Sequence, residues 1–148
     1  MIGQLLRATL LNLKEERERL GRQLGDVAGV WRDDEAVVAE LACRALVRQN
    51  FGQDTSFARI AAFAAAIGSR LNNEDIPTEL VERVLRRALG EPESILEGVT
   101  SRKRFAVRTI VLVQLVKDLG LKEISINELV LRCERIAFDQ GFKPYVAA

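Results

Sequence analysis

The chain has 148 residues, of which 48% are hydrophobic and 29% are charged, and its net charge is +1. This length and composition predict one folded domain over residues 1–148 and argue against disorder. The balanced charge excludes a general electrostatic attraction to nucleic acid or to a membrane surface, so that any such attraction must be local.

The sequence contains no histidine. This removes the most common general acid–base group and the most common metal ligand. The acidic residues do not form matched inward pairs on neighbouring helices, as a helical magnesium site requires, and the glycines form no phosphate-binding loop. We therefore expect no enzyme, no metal site and no cofactor.

Residues 1–20 lack the pattern of a signal peptide, and no apolar run approaches the roughly 20 residues of a membrane-spanning helix. We therefore expect a cytoplasmic protein without a membrane partner.

Cys43 and Cys133 each lie among apolar residues inside a helical pattern. In that compartment we expect two buried thiols rather than a disulfide.

The first predicted helix covers about residues 2–24 and repeats leucine at helical spacing. Leu6, Leu13 and Leu20 are seven residues apart, and Leu10 belongs to a second row. One interpretation is a helix that packs on its own domain. The other is self-association of two copies into a homodimer through Leu6, Leu10, Leu13 and Leu20, because a heptad repeat is typical of paired helices.

Three further helices are predicted before residue 90. The first runs from Asp33 or Asp34, as cap, to about residue 50; the second covers residues 56–71 after a cap at Asp54 or Thr55. The third begins at Pro77, which suits the first position of a helix, and ends at Gly90. A short helix opened by Pro92 follows.

Residues 102–119 are almost wholly apolar after a basic start, and we predict a helix at the centre of the core. The β-branched residues in 107–116 would also suit a buried strand. We favour the helix because the run is long and no partner strand is evident. Gly120 ends it, with Leu121 in place for a hydrophobic contact.

Ser125 to Glu128 form a capping-box pattern, which predicts the start of the last helix; that helix ends at about Asp139, and residues 142–148 form a tail. The predicted fold is thus all-α, a single compact bundle of six or seven helices around the central helix 102–119.

The start of the central helix carries an unusual group of cations, with Arg102, Lys103 and Arg104 in the first turn and Arg108 in the next. Positive charge at a helix start opposes the helix dipole. One interpretation is a binding site for phosphate, nucleic acid or an acidic partner. The alternative is that these side chains pair with Glu91, Glu93 and Glu97 on the preceding turn, where exposed ion pairs contribute little.

Residues 112–131 also match the apolar spacing of a helix-turn-helix, with Gly120 at the turn. The outward positions of the second helix would include Glu123 and Glu128, which is unfavourable next to DNA phosphates.

We therefore predict a non-catalytic interaction module, such as an adaptor, a regulator or a subunit of an assembly, with a protein partner or a second copy. A nucleic-acid-binding regulator that uses residues 102–108 and 112–131 is the alternative.

Overall fold

The computed structural model describes residues 4–11, 33–52, 56–71 and 76–141. The described residues form six α-helices and one short 3₁₀ turn, and no strand occurs among them. The helices are α1 (Gln4–Leu10), α2 (Asp33–Phe51), α3 (Phe57–Leu71), α4 (Thr78–Ala88), α5 (Ser101–Asp118) and α6 (Glu123–Asp139), with the 3₁₀ turn η1 (Glu93–Leu96) between α4 and α5. The prediction of an all-α fold is confirmed.

The predicted central helix exists as α5, and the strand interpretation of residues 107–116 is wrong. Its most extensive contact is with α2, and it also contacts α1 and α4. Val107, Val111, Leu112 and Leu115 are fully buried in this contact region. Hydrogen bonding within the helix satisfies the backbone polar groups, which a lone buried strand could not do.

A single hydrophobic core contains residues from all six helices and from η1. Cys43 and Cys133 belong to this core as free thiols, as the sequence predicted. Leu6 and Leu10 also lie in it and are buried against the rest of the chain. The predicted positions Leu13 and Leu20 lie outside the described residues, so self-association through the N-terminal helix stays a prediction.

The connection between α5 and α6 follows the helix-ending pattern that Gly120 and Leu121 predicted. Gly120 has φ of 63°, and its N–H donates to the Lys117 carbonyl at 3.2 Å. The Leu121 N–H donates to the Val116 carbonyl at 3.0 Å, and its side chain packs on the core. These two bonds form a Schellman motif, in which glycine adopts the left-handed conformation without a Cβ penalty.

The capping-box prediction is wrong, because α6 begins at Glu123 and Ser125 lies inside its first turn. Lys122 is the N-cap residue and its side chain makes no cap hydrogen bond. The carboxylate of Glu123 instead places negative charge at the helix start, where the dipole favours it. Both α5 and α6 pack on α2 and α1 and make little contact with each other.

Two other predicted helix starts shift by one or two residues. Pro77 is the N-cap residue of α4 rather than its first residue. At the start of α3, the Ser56 hydroxyl accepts the Arg59 N–H at 3.4 Å. Ser56 therefore has the capping position, and the predicted caps Asp54 and Thr55 lie outside the described residues.

Candidate anion-binding site

The basic residues predicted at the start of α5 have different partners in the structure. Arg102 and Lys103 are exposed, whereas Arg104 is half-buried and Arg108 is buried. The Thr100 hydroxyl caps the helix by accepting the Lys103 N–H at 3.2 Å. The four cations therefore do not form one uniform surface patch.

Arg104 reaches back to the turn that precedes α5. Its guanidinium donates to the Leu96 carbonyl at 2.7 Å and to the Val99 carbonyl at 2.9 Å, and it pairs with Glu93 at 3.3 Å. These partners offset the cost of a cation at a helix start, because they direct the charge toward carbonyl and carboxylate oxygens.

Of the predicted pairings with Glu91, Glu93 and Glu97, the described residues contain only that between Arg104 and Glu93. Glu91 pairs instead with Arg86, at 2.6 Å between Nε and Oε2. The Arg83 guanidinium donates to the backbone carbonyls of Ile95 and Glu97. Pairing with the preceding turn thus accounts for the cation at position 104. It does not account for Arg108, whose partners lie elsewhere.

Arg108 extends from α5 toward α2, where three arginines surround one carboxylate. Nη2 atoms of Arg44 and Arg87 each lie 3.6 Å from Glu40 Oε1, and Nη2 of Arg108 lies 3.9 Å from the same oxygen. We call Glu40, Arg44, Arg87 and Arg108 the Glu40 cluster. Its members come from α2, α4 and α5, so that the packing of these three helices creates it.

The Glu40 cluster carries an excess of positive charge. Glu40 is the only carboxylate within ion-pair distance of these three arginines among the described residues. Three guanidinium cations and one carboxylate leave two positive charges. All three distances exceed hydrogen-bond length, so no arginine makes a short charge-assisted bond to Glu40.

Exposure differs sharply within the Glu40 cluster. The Arg108 side chain is 8% exposed, while those of Glu40 and Arg44 are 30% and 37% exposed. Burial lowers the pKa of the Arg108 guanidinium, and the nearby Glu40 carboxylate acts in the opposite direction. Arginine remains a cation at physiological pH, so Arg108 brings a desolvated charge to this site.

The cluster lies at a narrow depression whose lining also includes Cys43 and Ala88. The C-terminal end of α4 meets this region, where Arg48 Nε donates to the Ala88 carbonyl at 3.2 Å and Arg87 Nη1 donates to the Glu91 carbonyl at 2.9 Å. The first bond ties the end of α4 to α2, and the second directs the Arg87 side chain toward the turn that follows α4. An anion would therefore meet Arg44 and Arg87 at the rim, with the charge of Arg108 behind them.

Sequence reasoning identified Arg108 and missed the rest of the cluster. The signal for Arg108 was a cation inside an otherwise apolar run. Glu40 and Arg44 have the spacing of an ordinary helix surface pair, and Arg87 directly follows another arginine in a charged stretch of its helix. The convergence of three helices on one carboxylate has no local sequence signal.

The predicted helix-turn-helix region exposes acidic residues, as its sequence indicated. Glu123, Glu128 and Arg132 are exposed on α6, and Asn127 is half-buried.

Among the described residues, no helix is long and apolar enough to cross a membrane, and no group of side chains could hold a metal ion.

Burial also affects the two thiols. It raises the pKa of Cys43 from 9.0 to about 12, although Arg108 opposes this change, and it raises the pKa of Cys133 to about 11. Between pH 9 and these higher pKa values, the two thiols stay protonated in the folded chain and lose their protons in the unfolded chain. Stability contributed by the neutral thiols is therefore present below pH 9 and is lost as the pH rises.

We expect the free energy of unfolding to fall above pH 9 by about one kcal/mol per pH unit for each thiol. Urea unfolding measured from about pH 8 to about pH 10 tests this expectation against a Cys43→Ala/Cys133→Ala variant. The variant should show a clearly smaller slope. An equal slope in both proteins would assign the pH dependence to other groups.

We find no match to the chain among protein-family models, curated proteins or solved structures. We therefore infer the function of the chain from the charges and contacts of the Glu40 cluster.

Proposed function

We propose that this chain is a non-catalytic helical interaction module that docks an acidic segment of a protein partner at the Glu40 cluster. The observation that supports this function is the presence of three arginines around a single carboxylate, one of them buried. A carboxylate-bearing partner would supply the missing negative charge. Such a module would act as an adaptor, a regulator or a subunit of a larger assembly.

The position of Arg108 supports a role beyond stability. A buried ion pair gains little over a well-packed apolar side chain, because desolvation offsets the Coulomb attraction. Val107, Val111 and Leu112 surround position 108 in the helix and are buried, so an apolar residue would suit this face of α5. An arginine at such a position supports recognition of an anion.

Guanidinium chemistry favours carboxylates as the ligand. The planar fork of arginine offers parallel N–H donors to two carboxylate oxygens. Arg44 is partly exposed and makes no short bond to Glu40, which leaves its donors available at the rim of the depression, whereas Arg87 Nη1 already donates to the Glu91 carbonyl. A partner's aspartate or glutamate side chain would bind at this rim rather than inside the depression, which is too narrow to admit a water molecule.

Several charges favour a protein partner over nucleic acid. The Glu40 carboxylate lies among the arginines, and exposed carboxylates of Glu123 and Glu128 lie on α6. The net charge of the whole chain is only +1. Nucleic-acid binding requires contacts with many phosphates along a strand, and a compact group of two surplus charges provides few of them.

Binding of a fluorescent hexa-aspartate peptide, followed by anisotropy, tests the proposal. We expect the Arg44→Gln/Arg87→Gln variant to bind about tenfold or more weakly, since it loses two charge-assisted contacts. Arg132→Gln is the control for the loss of a single exposed arginine outside the cluster, on α6. A hexa-asparagine peptide controls for binding that does not depend on charge.

Equal weakening by Arg132→Gln would contradict docking at the Glu40 cluster, as would the absence of peptide binding at low salt. Single- and double-stranded oligonucleotides serve as competitors in the same assay. Tighter binding of an oligonucleotide, with a steep loss of affinity as salt rises, would instead support the nucleic-acid alternative.

A further inference from the structure

The Glu40 carboxylate lies where three guanidinium groups converge, yet no short bond holds it there. Its Oε1 atom is 3.6 Å from Nη2 of Arg44, 3.6 Å from Nη2 of Arg87 and 3.9 Å from Nη2 of Arg108. Charge-assisted hydrogen bonds of this type are about 2.7–2.9 Å long. The Glu40 side chain is also 30% exposed, so part of it is already in contact with water. Glu40 is therefore an anion that a more highly charged anion can replace.

A group that replaces Glu40 must carry more negative charge than one carboxylate. With Glu40 in place, the three arginines and the carboxylate have a net charge of +2. A partner's carboxylate in the same place would leave this charge unchanged, so the exchange would gain nothing and the carboxylate would stay at the rim. A phosphate monoester carries about −1.5 to −2 at neutral pH, so it would lower the net charge to about +1.

The number of donors around Glu40 also favours a phosphate. The three guanidinium groups belong to α2, α4 and α5, and Arg87 keeps Nη2 toward Glu40 while its Nη1 donates to the Glu91 carbonyl. A carboxylate has two oxygens in one plane, whereas a phosphate monoester has three terminal oxygens that accept hydrogen bonds. One phosphate in the place of the Glu40 carboxylate can therefore accept from all three arginines, including Arg108, which is only 8% exposed.

We infer that the Glu40 cluster binds the phosphorylated form of the docked acidic segment more tightly than the unphosphorylated form, because a phosphate replaces the Glu40 carboxylate. This inference rests on the proposed docking function and adds its regulation. Without phosphate, the carboxylates of the segment bind at the rim beside Arg44. With phosphate, Glu40 turns toward water and the ligand contacts Arg108, so that one site distinguishes two states of the same partner.

Neither a nucleic-acid strand nor free phosphate meets both requirements of this site. Each backbone phosphate of a nucleic acid is a diester with a single negative charge, which equals the charge of Glu40. Inorganic phosphate has the required charge, but it lacks the neighbouring carboxylates that bind at the rim. A phosphorylated side chain within an acidic segment of a protein supplies both groups.

Fluorescence anisotropy with three short peptides tests the inference. The peptides share an aspartate-rich sequence and differ at one central position, which is phosphoserine, aspartate or serine. We expect the phosphoserine peptide to bind about tenfold or more tightly than the aspartate peptide, and the serine peptide to bind most weakly. Inorganic phosphate, added as a competitor, should bind more weakly than the phosphoserine peptide. Equal affinities of these two ligands would assign the site to free phosphate and overturn the inference.

Two variants test the replacement of Glu40. Arg108→Met removes the charge that only the phosphate contacts, so the tenfold advantage of the phosphoserine peptide should fall to about threefold or less. Circular dichroism checks that this variant is folded. Glu40→Gln removes the competing charge, so it should bind the phosphoserine peptide more tightly than the wild type does. Arg132→Gln, outside the cluster, should change neither affinity.

Equal binding of the phosphoserine and aspartate peptides to the wild type would overturn the inference. A full advantage of the phosphoserine peptide in Arg108→Met would overturn it too, as would weaker binding of that peptide to Glu40→Gln. The docking function has its own criterion, which is binding of hexa-aspartate that Arg44→Gln weakens. If that binding occurs while the two peptides bind equally, docking stands without regulation; if neither peptide requires Arg44, both proposals are wrong.

Discussion

Replacing Leu112 by alanine is expected to lower the free energy of unfolding by about 3 kcal/mol. Leu112 is fully buried on α5, where this helix packs in the common core. The substitution removes apolar contacts and leaves a cavity that the neighbouring helices can fill only in part. Urea unfolding followed by circular dichroism measures the loss.

The neighbouring residue provides the matched control. Val113 is 43% exposed on the same helix, so Val113→Ala should change the free energy of unfolding by no more than about 0.5 kcal/mol. In a strand buried on both faces, the two substitutions would both be costly. Losses of similar size at the two positions would contradict the orientation of α5.

Replacing Glu40 by glutamine is the second substitution with a large expected effect, a loss of about 1–3 kcal/mol in unfolding free energy. Glutamine keeps the shape of the side chain and removes its charge. Arg44 can turn toward water, whereas the buried Arg108 is left without a nearby carboxylate. The loss stays below that of a fully buried pair because Glu40 is partly exposed.

Two comparisons make the Glu40→Gln result specific. Glu93→Gln removes the carboxylate of an exposed pair with Arg104 and should have almost no effect. The double variant Glu40→Gln/Arg108→Met should recover most of the lost stability, since it removes the uncompensated buried charge. No recovery in the double variant would contradict the assigned role of Arg108.

Glu40→Gln should also gain stability from anions. The variant has three surplus positive charges, so sulfate should raise its unfolding free energy more than chloride does at equal ionic strength. The wild-type chain should respond less, because Glu40 competes with the anion. Identical responses in the two proteins would argue against anion binding at this cluster.

Much of the fold could be predicted from local patterns. The apolar run in residues 102–119 predicted α5, and Gly120 followed by Leu121 predicted the end of that helix. The start of α6 was mispredicted because Ser125 and Glu128 have capping-box spacing, yet the helix begins earlier, at Glu123. The first helical hydrogen bond joins the Ile126 N–H to the Lys122 carbonyl at 3.0 Å, directly after the turn at Gly120 and Leu121.

The candidate site was less predictable. Arg108 was identifiable because a charge inside an apolar run requires a partner. Its partner Glu40 lies 68 positions earlier in the chain and has the local appearance of a surface residue paired with Arg44. Arg104 was part of the same predicted group, but its donors are used by backbone carbonyls that only the folded turn presents.

The most direct test of the docking site is a titration of hexa-aspartate followed by NMR of the arginine side-chain Nε–Hε groups. We expect saturable changes at Arg44, Arg87 and Arg108, and little change at Arg132. Changes confined to Arg102 or Arg132, or no saturable change at any arginine, would contradict the assignment of the Glu40 cluster as the site that binds an acidic partner.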